Sequence, residues 1–275
     1  MNMGLRDLSL RQEYFTGQVD LINSFYKPCL AQASKYDRSV GFFRSSVFLL
    51  IGPDVIEFAK QGGKIRLISS PLLTADDIEA ISQGYSRREE IIQNALSRDI
   101  DELLGNSAIL RNTEALATLI SVGSLEVKLA FFPEAEGDYH SKLGVFYDAQ
   151  GDVVVFKGSA NETWRGWHER GNHETLDVFC SWHQGRESQR VNSNVNYFEE
   201  LWEGEIRDLE VTIFPDVARE KLKEVTKSSL NDLDINLITD FFKLGSETSK
   251  DQNTEERSEE RRVGKECRSR WSPYH

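Results

Sequence analysis

Three apolar runs in the first half of the chain have the length and composition of buried strands. They are SVGFF at residues 39–43, KIRLIS at 64–69 and LEVKLAFF at 125–132. Branched and aromatic side chains supply most of the apolar positions, which favours strands over helices in runs this short. The third run also alternates, so one face of that strand is predicted to carry Val127, Leu129 and Phe131.

Helical patterns separate these strands. Residues 47–63 are predicted to form a helix with Pro53 near its first turn and the Gly62-Gly63 pair at its end. Thr74 and Ser86 are each followed three residues later by an acidic residue, which predicts the N-caps of two helices between residue 75 and about residue 104. Strands that alternate with helices are typical of an α/β sheet.

The second half of the chain predicts a hairpin, a strand and a helix. KLGVFY and VVVFK flank the turn AQGD as the two arms of a β-hairpin, and TLDVFCSW at 175–182 is a further apolar strand. Val191, Val195, Phe198 and Trp202 then recur at helical spacing before Gly204. VTIFP completes the pattern. We expect one α/β domain over residues 1–215 and a helical linker over 216–256.

The last residues, 257–275, resemble the in-frame translation of a common DNA sequencing adapter: RSEERRVGKECRSRWSPYH. We expect this tail to be an artefact, with the natural protein continuing beyond Glu256; a natural basic tail is the alternative. The tail carries six basic and three acidic residues, so its removal takes the net charge from −12 to −15. An acidic body repels nucleic acid except where Lys and Arg cluster, so any polyanion site must be a focused one.

Cysteine usage and apolar runs favour a cytoplasmic protein with no membrane partner. Residues 1–256 contain two cysteines, Cys29 and Cys180, and the N-terminus lacks the basic and apolar regions of a signal peptide. The longest apolar runs fall far short of the ~20 residues that cross a bilayer.

The predicted hairpin carries the polar residues of greatest interest, HSKLGVFYDAQGDVVVFKGSAN at 140–161. Side chains two apart on a strand share a face, so His140 and Lys142 are predicted to point the same way. The returning strand brings Gly158, Ser159 and Asn161 to the same end, where glycine lets a substrate approach the backbone. An imidazole, an ammonium, a hydroxyl and a carboxamide suit a tetrahedral anion, meaning a phosphate.

This pattern of H-x-K followed by G-S-x-N resembles the catalytic signature of the phospholipase D superfamily. Asn172-His173-Glu174 resembles the N-x-E of its nuclease branch. The resemblance covers roughly residues 36–182 and implies a mixed β-sheet flanked by helices. The stretch from YDRSVGFFRSS to NHETLDVFCSW is also similar to the N-terminal module of helicases in bacterial defence and restriction systems.

The resemblance implies a metal-independent phosphodiesterase without a cofactor, acting as an endonuclease on nucleic acid, DNA in preference to RNA. His140 would attack phosphorus to form a phosphohistidine, and Glu174 would orient its imidazole. Lys142 and Asn161 would stabilise charge on the non-bridging oxygens. Two alternatives remain: a phospholipase or phosphatidyltransferase, and a catalytically degenerate module that only binds nucleic acid.

Further residues complete the expected site. Substrate contacts are expected from Gly158, Ser159, Arg44 and Arg165. Arg165 alternatively faces solvent, and Arg44 is expected to act as a cation behind the residues that touch the substrate. Ser159 is expected to hold the turn or bind a phosphate oxygen. Because the chain has one H-x-K, the histidine that protonates the leaving group is expected from a second copy, in a homodimer.

Three features have competing interpretations. The superfamily pattern places an aspartate where this chain has Tyr147, so Asp148 is either a displaced equivalent or a turn residue. A core histidine beside a snorkelling lysine would also produce H-x-K. His173, Cys180 and His183 suggest zinc, but core packing is the better prediction because a fourth ligand is missing and the set includes an apolar strand.

Overall fold

The structure is a computed structural model. It describes residues 3–42, 52–70, 77, 88–107, 109–132, 139–159 and 173–238, with only the backbone of residues 42, 88 and 89.

One mixed sheet of eight strands runs through these residues. The strands are β1 Glu13–Phe15, β2 Lys35–Phe42, β3 Lys64–Ser70, β4 Leu125–Phe131, β5 Leu143–Tyr147, β6 Val153–Gly158, β7 Thr175–Cys180 and β8 Glu210–Ile213. Their order across the sheet is β1-β7-β6-β5-β2-β3-β4-β8. The central β2, β3 and β4 are parallel and the other neighbouring pairs are antiparallel. The prediction of an α/β fold built on a mixed sheet is confirmed.

Helices flank this sheet. They are α1 Lys27–Gln32, α2 Pro53–Lys60, α3 Arg88–Gly105, α4 Leu110–Ser121, α5 Arg186–Glu203 and α6 Asp216–Lys223. A π-helical turn, Ile22–Tyr26, leads into α1. Helix α5 ends at Gly204, whose φ of 76° is the left-handed conformation that glycine adopts at little cost.

The two faces of the sheet bury two different cores. The larger core lies under α1, α2, α3, α4 and α6, and the smaller one lies under α5. Strand β2 contributes to both faces because successive side chains alternate. Tyr36 and Val40 enter the larger core, whereas the carboxylate of Asp37 reaches toward α5, where it shares Arg66 with Glu199.

Most predicted elements are confirmed. The strands at 64–69, 125–132 and 175–182, the hairpin, and the helix through Val191 and Trp202 all form. The first predicted strand begins earlier than expected, at Lys35. Strand β1 and helices α1 and α4 were not predicted. The first of the two helices predicted after residue 75 lies outside the described residues, apart from residue 77.

The predicted linker contributes to the larger core as far as it is described. Ala218, Leu222, Leu233 and Ile238 are all buried there. The boundary at residue 215 stays a prediction, and residues 239–275, with the expected artefactual tail, lie outside the described residues. Among the helices described, none has both the length and the apolar character that spanning a bilayer requires.

Candidate active site

His140 and Lys142 meet at one end of the sheet. The Lys142 Nζ atom lies 3.0 Å from Nδ1 and 2.9 Å from Nε2 of His140, so the ammonium is nearly equidistant from both ring nitrogens. His140 is exposed and Lys142 is partly buried. Both residues precede β5, which begins at Leu143, the first residue of the hairpin arm that pairs with both β2 and β6. Their prediction as strand residues was therefore wrong, whereas their side-by-side placement is confirmed.

Tyr139 fixes the backbone immediately before His140. Its ring is buried in the smaller core, and its hydroxyl lies 2.5 Å from the Ser39 hydroxyl on β2. Burial raises the pKa of Tyr139 to about 12, so the phenol stays neutral. Tyr139 is thus fixed in the core, while the imidazole of the next residue, His140, is exposed to solvent.

A buried arginine, Arg38, lies close enough to Lys142 for the two charges to interact. Arg38 is almost fully buried, and its guanidinium lies 5.0 Å from the centroid of the Phe156 ring. Burial, and after it the positive charge of Arg38, lower the pKa of Lys142 to about 8, while Glu174 acts in the opposite direction. Among the described residues, two cations, Arg38 and Lys142, and one carboxylate, Glu174, therefore interact at this end of the sheet.

Glu174 is held in place by Thr16, the residue that follows strand β1. Its side chain is buried, its backbone N–H donates to Thr16 Oγ1 at 2.7 Å, and its carbonyl accepts from the Thr16 N–H at 3.0 Å. These bonds fix Glu174 just before β7 begins at Thr175. The position places its carboxylate within electrostatic reach of Lys142.

The G-S pair at the end of β6 is packed tightly against β7. A Cβ added to Gly158 would lie 1.9 Å from the Thr175 carbonyl oxygen, so only glycine fits there. The Ser159 hydroxyl accepts from the Thr175 N–H at 3.2 Å, and the Ser159 N–H donates to the Thr175 oxygen at 3.2 Å. This is the turn-holding arrangement expected of Ser159. Asn161, Arg44 and Arg165 lie outside the described residues.

Asp148 is a turn residue. It lies at the far end of β5 from His140, and it accepts backbone N–H bonds from Gln150 at 3.0 Å and Asp152 at 2.8 Å. A third bond, from the Leu5 N–H at 2.9 Å, ties the N-terminal segment to this turn. Of the two interpretations of Asp148, the structure favours the turn.

The zinc grouping of His173, Cys180 and His183, which ranked below core packing as a prediction, does not form. Residues 173 and 180 flank opposite ends of β7, so His173 is remote from the other two. Glu187, in the first turn of α5, joins Cys180 and His183 instead. Sequence reasoning missed this residue because the turn between β7 and α5 brings it back to the end of the strand.

Arg38 and Tyr139 were also missed. Arg38 immediately precedes the run that predicted β2, and an arginine surrounded by strand-forming residues was the available signal. For Tyr139, the only signal was its position beside His140.

Comparison with known proteins gives structural likeness only. No family model matches the chain, and no curated protein matches it. The phosphatidylserine synthase of Haemophilus influenzae Rd KW20 is similar with a TM-score of 0.42 and 14% identity over 77% of this chain and 44% of that protein. The chain thus spans less than half the length of that synthase.

Two further structures are similar at lower scores. Nuc from Salmonella typhimurium, a phospholipase D family member, gives a TM-score of 0.39 and 10% identity over 74% of this chain and 96% of Nuc. A mutant of yeast tyrosyl-DNA phosphodiesterase gives 0.29 and 10% identity over 64% of this chain and 34% of that enzyme. At these scores none of the likenesses assigns a function, which has to be argued from the site.

Proposed function

We propose that the chain is a metal-independent phosphodiesterase, an endonuclease that cleaves DNA through a phosphohistidine intermediate. The observation that carries this proposal is the contact between an exposed imidazole and a lysine ammonium 2.9–3.0 Å from its nitrogens. The imidazole is open to a substrate, and the cation beside it attracts the phosphate that the imidazole would attack.

The reaction proceeds in two displacements. A ring nitrogen of His140 attacks phosphorus, a P–N bond forms, and the P–O bond to the leaving sugar oxygen breaks. Water then attacks phosphorus, releases the phosphomonoester and restores the imidazole. Lys142 and Asn161 stabilise the non-bridging oxygens, and Glu174 orients the nucleophile.

Fixed cations supply the positive charge that this scheme requires. Lys142 lies at the nucleophile, and Arg38 adds a buried charge close enough to lower the pKa of that lysine. Positive groups held in place by the protein stabilise a phosphoryl transition state without reorganisation, which is the task a metal ion performs in other phosphodiesterases.

The leaving sugar oxygen needs a proton, and a homodimer is the proposed source. The chain contains a single H-x-K, so a second copy of His140 acts as the general acid. We further propose that the chain is the nuclease module of a larger helicase-linked defence or restriction protein, because YDRSVGFFRSS and NHETLDVFCSW resemble such modules. The N-x-E resemblance to the nuclease branch favours nucleic acid over phospholipid as the substrate.

The test compares the full chain with His140→Gln on supercoiled plasmid and radiolabelled single-stranded DNA in excess EDTA. We expect cleavage by the parent protein, and a radiolabelled, acid-labile and base-stable protein adduct after a rapid quench. His140→Gln should give neither. His173→Gln is the matched control, because it removes an exposed histidine that has no assigned role.

The other outcomes are equally informative. Turnover of phosphatidylcholine vesicles without DNA cleavage would assign the site to phospholipid chemistry. Salt-dependent DNA binding without any phosphohistidine, from a folded dimer, would identify a binding module. Cleavage that survives in His140→Gln would remove His140 from the mechanism.

A further inference from the structure

A second group of reactive side chains lies at the opposite end of β7 from the candidate active site. The Cys180 sulfur, a ring nitrogen of His183 and a carboxylate oxygen of Glu187 all lie within 4.8 Å of one another. Cys180 is buried, Glu187 partly buried, and His183 exposed. The site is therefore closed on the side of the core and open on the side of the solvent.

The backbone holds these donors together without a metal. Cys180 ends β7, and its N–H donates to Glu187 Oε1 at 2.9 Å. The His183 N–H donates to the Cys180 carbonyl at 3.2 Å, and His183 Nδ1 lies 2.7 Å from the same Oε1 atom. All three side chains thus converge through a short turn between a strand and a long helix.

The donor set indicates the metal. One sulfur, one nitrogen and one oxygen match the ligands of Zn²⁺, whereas Mg²⁺ and Ca²⁺ prefer oxygen alone. Zinc bond lengths of about 2.0–2.3 Å place tetrahedral ligands roughly 3.5 Å apart, so the present spacing needs a shift of only about 1 Å. The exposed side supplies the fourth position to water.

We propose that Cys180, His183 and Glu187 form a zinc site that joins the end of β7 to the start of α5. The ion would have three protein ligands and an open fourth position, and it would bridge two elements of the fold away from His140. The site is independent of the proposed nuclease activity, and the two are tested by different measurements.

The experiment uses the full chain carrying Cys267→Ser, which removes the thiol of the C-terminal tail. Metal is stripped with a chelator, the chelator is removed, and Zn²⁺ is titrated in competition with a chromophoric indicator. Co²⁺ serves as a second probe, because a cysteine ligand in a tetrahedral site gives a thiolate-to-cobalt absorption band and intense visible bands. We expect one ion per chain and both spectral features.

Matched variants decide which residues bind the ion. His183→Gln and Glu187→Gln should weaken zinc binding on the order of 100-fold or more, and Cys180→Ser should also abolish the thiolate band. Cys29→Ser and His173→Gln should bind like the parent, because Cys29 is a buried thiol outside the group and His173 lies at the other end of β7.

His183→Gln is the decisive variant, because its exposed side chain can change without loss of the fold even if Cys180→Ser unfolds. Absence of stoichiometric binding to the folded parent would overturn the proposal. So would parent-like affinity in His183→Gln. Phosphohistidine formation at His140, measured on the same samples, reports separately on the nuclease proposal.

Discussion

Two neighbouring residues of β2, Asp37 and Arg38, direct their charges to opposite faces of the sheet, into two very different environments. Asp37 is fully buried beside Arg66, whose guanidinium donates two hydrogen bonds to Asp37 and two to Glu199 at 2.6–2.8 Å. Arg38 lies toward the other face, where its charge acts on Lys142.

The pKa shifts in the two regions have opposite meanings. The hydrogen bonds from Arg66 lower the pKa of Glu199, so this network holds its acidic member in the charged form. Burial and Arg38 lower the pKa of Lys142 to about 8, which moves that cation toward its neutral form. A network in which each charged group has a partner of opposite charge stabilises the fold. A group of like charges with shifted pKa values is more typical of a site that binds a partner of the opposite charge.

The largest effect on stability is expected from Arg66→Met. The change removes the bidentate pairs and leaves Lys35, at 3.1 Å, as the cation that pairs with the buried Asp37 carboxylate among the described residues. The free energy of unfolding, measured by urea denaturation, should fall by about 3–5 kcal/mol. Arg207→Met, which breaks an exposed pair with Asp208, should leave stability unchanged. A loss under about 1 kcal/mol in Arg66→Met would contradict the structural role of the network.

Lys142→Met should produce the reverse result. The rate of phosphohistidine formation in a single turnover should fall by about 10²–10³-fold, because the transition state loses a cation. Stability should stay the same or rise, since a partly buried ammonium is removed. Lys157→Met is the control, because it changes an exposed lysine on β6. A lower free energy of unfolding without a change in rate would show that Lys142 supports the fold and not the reaction.

The pH dependence separates the two regions further. Because the pKa of Lys142 is about 8, the reaction rate should fall about tenfold per pH unit well above that value. Lys142→Arg should lose this alkaline decline, since a guanidinium stays charged. A pH–rate profile of both proteins checks this, and an unchanged decline in Lys142→Arg would assign it to another group.

The stability contribution of Lys142 should rise with pH over a range in which the reaction rate is expected to fall. Between pH 8 and the ordinary lysine value of 10.5, the unfolded chain binds more protons at this position than the folded chain. The contribution of Lys142 to stability therefore rises with pH across that window. Urea titrations of the parent and Lys142→Met over this range should show the difference between them shrink.

Asp148→Asn should have the smallest effect. Asp148 accepts three backbone N–H bonds at the hairpin turn, and an amide replaces one of its two acceptor oxygens with a donor. We expect a loss of about 1–2 kcal/mol in the free energy of unfolding, with the single-turnover rate unchanged. A rate loss of tenfold or more would instead support the interpretation of Asp148 as a displaced equivalent of the motif aspartate.

Local patterns were sufficient to predict the sheet and part of the candidate site. The hairpin β5–β6, with His140 and Lys142 before it and Gly158-Ser159 after it, follows from alternation and turn chemistry in one continuous stretch. The N-x-E motif that drew attention to Glu174 ends at the residue immediately before β7. These features depend on neighbours in sequence, which is why the sequence reveals them.

The parts that were missed depend on contacts distant in sequence. Helix α4 is buried on nearly every side from Asn112 to Ile120, including Thr113 and Glu114, so its sequence lacks a clear polar face. Arg38 acts on Lys142 only because β2 pairs with β5, about a hundred residues later in the chain. No local period predicts either arrangement.

The alternation of Asp37 and Arg38 also makes catalysis a measure of correct folding. A slip of β2 by one residue would exchange the two faces, so that a carboxylate would lie near Lys142 and a guanidinium would lie against Arg66. Such a misregistered molecule would retain most of its hydrogen-bonded sheet, yet it would carry a negative charge beside Lys142 in place of a positive one. Any measurement that depends on the positive charge beside Lys142 would therefore report whether this single strand is paired in its correct register.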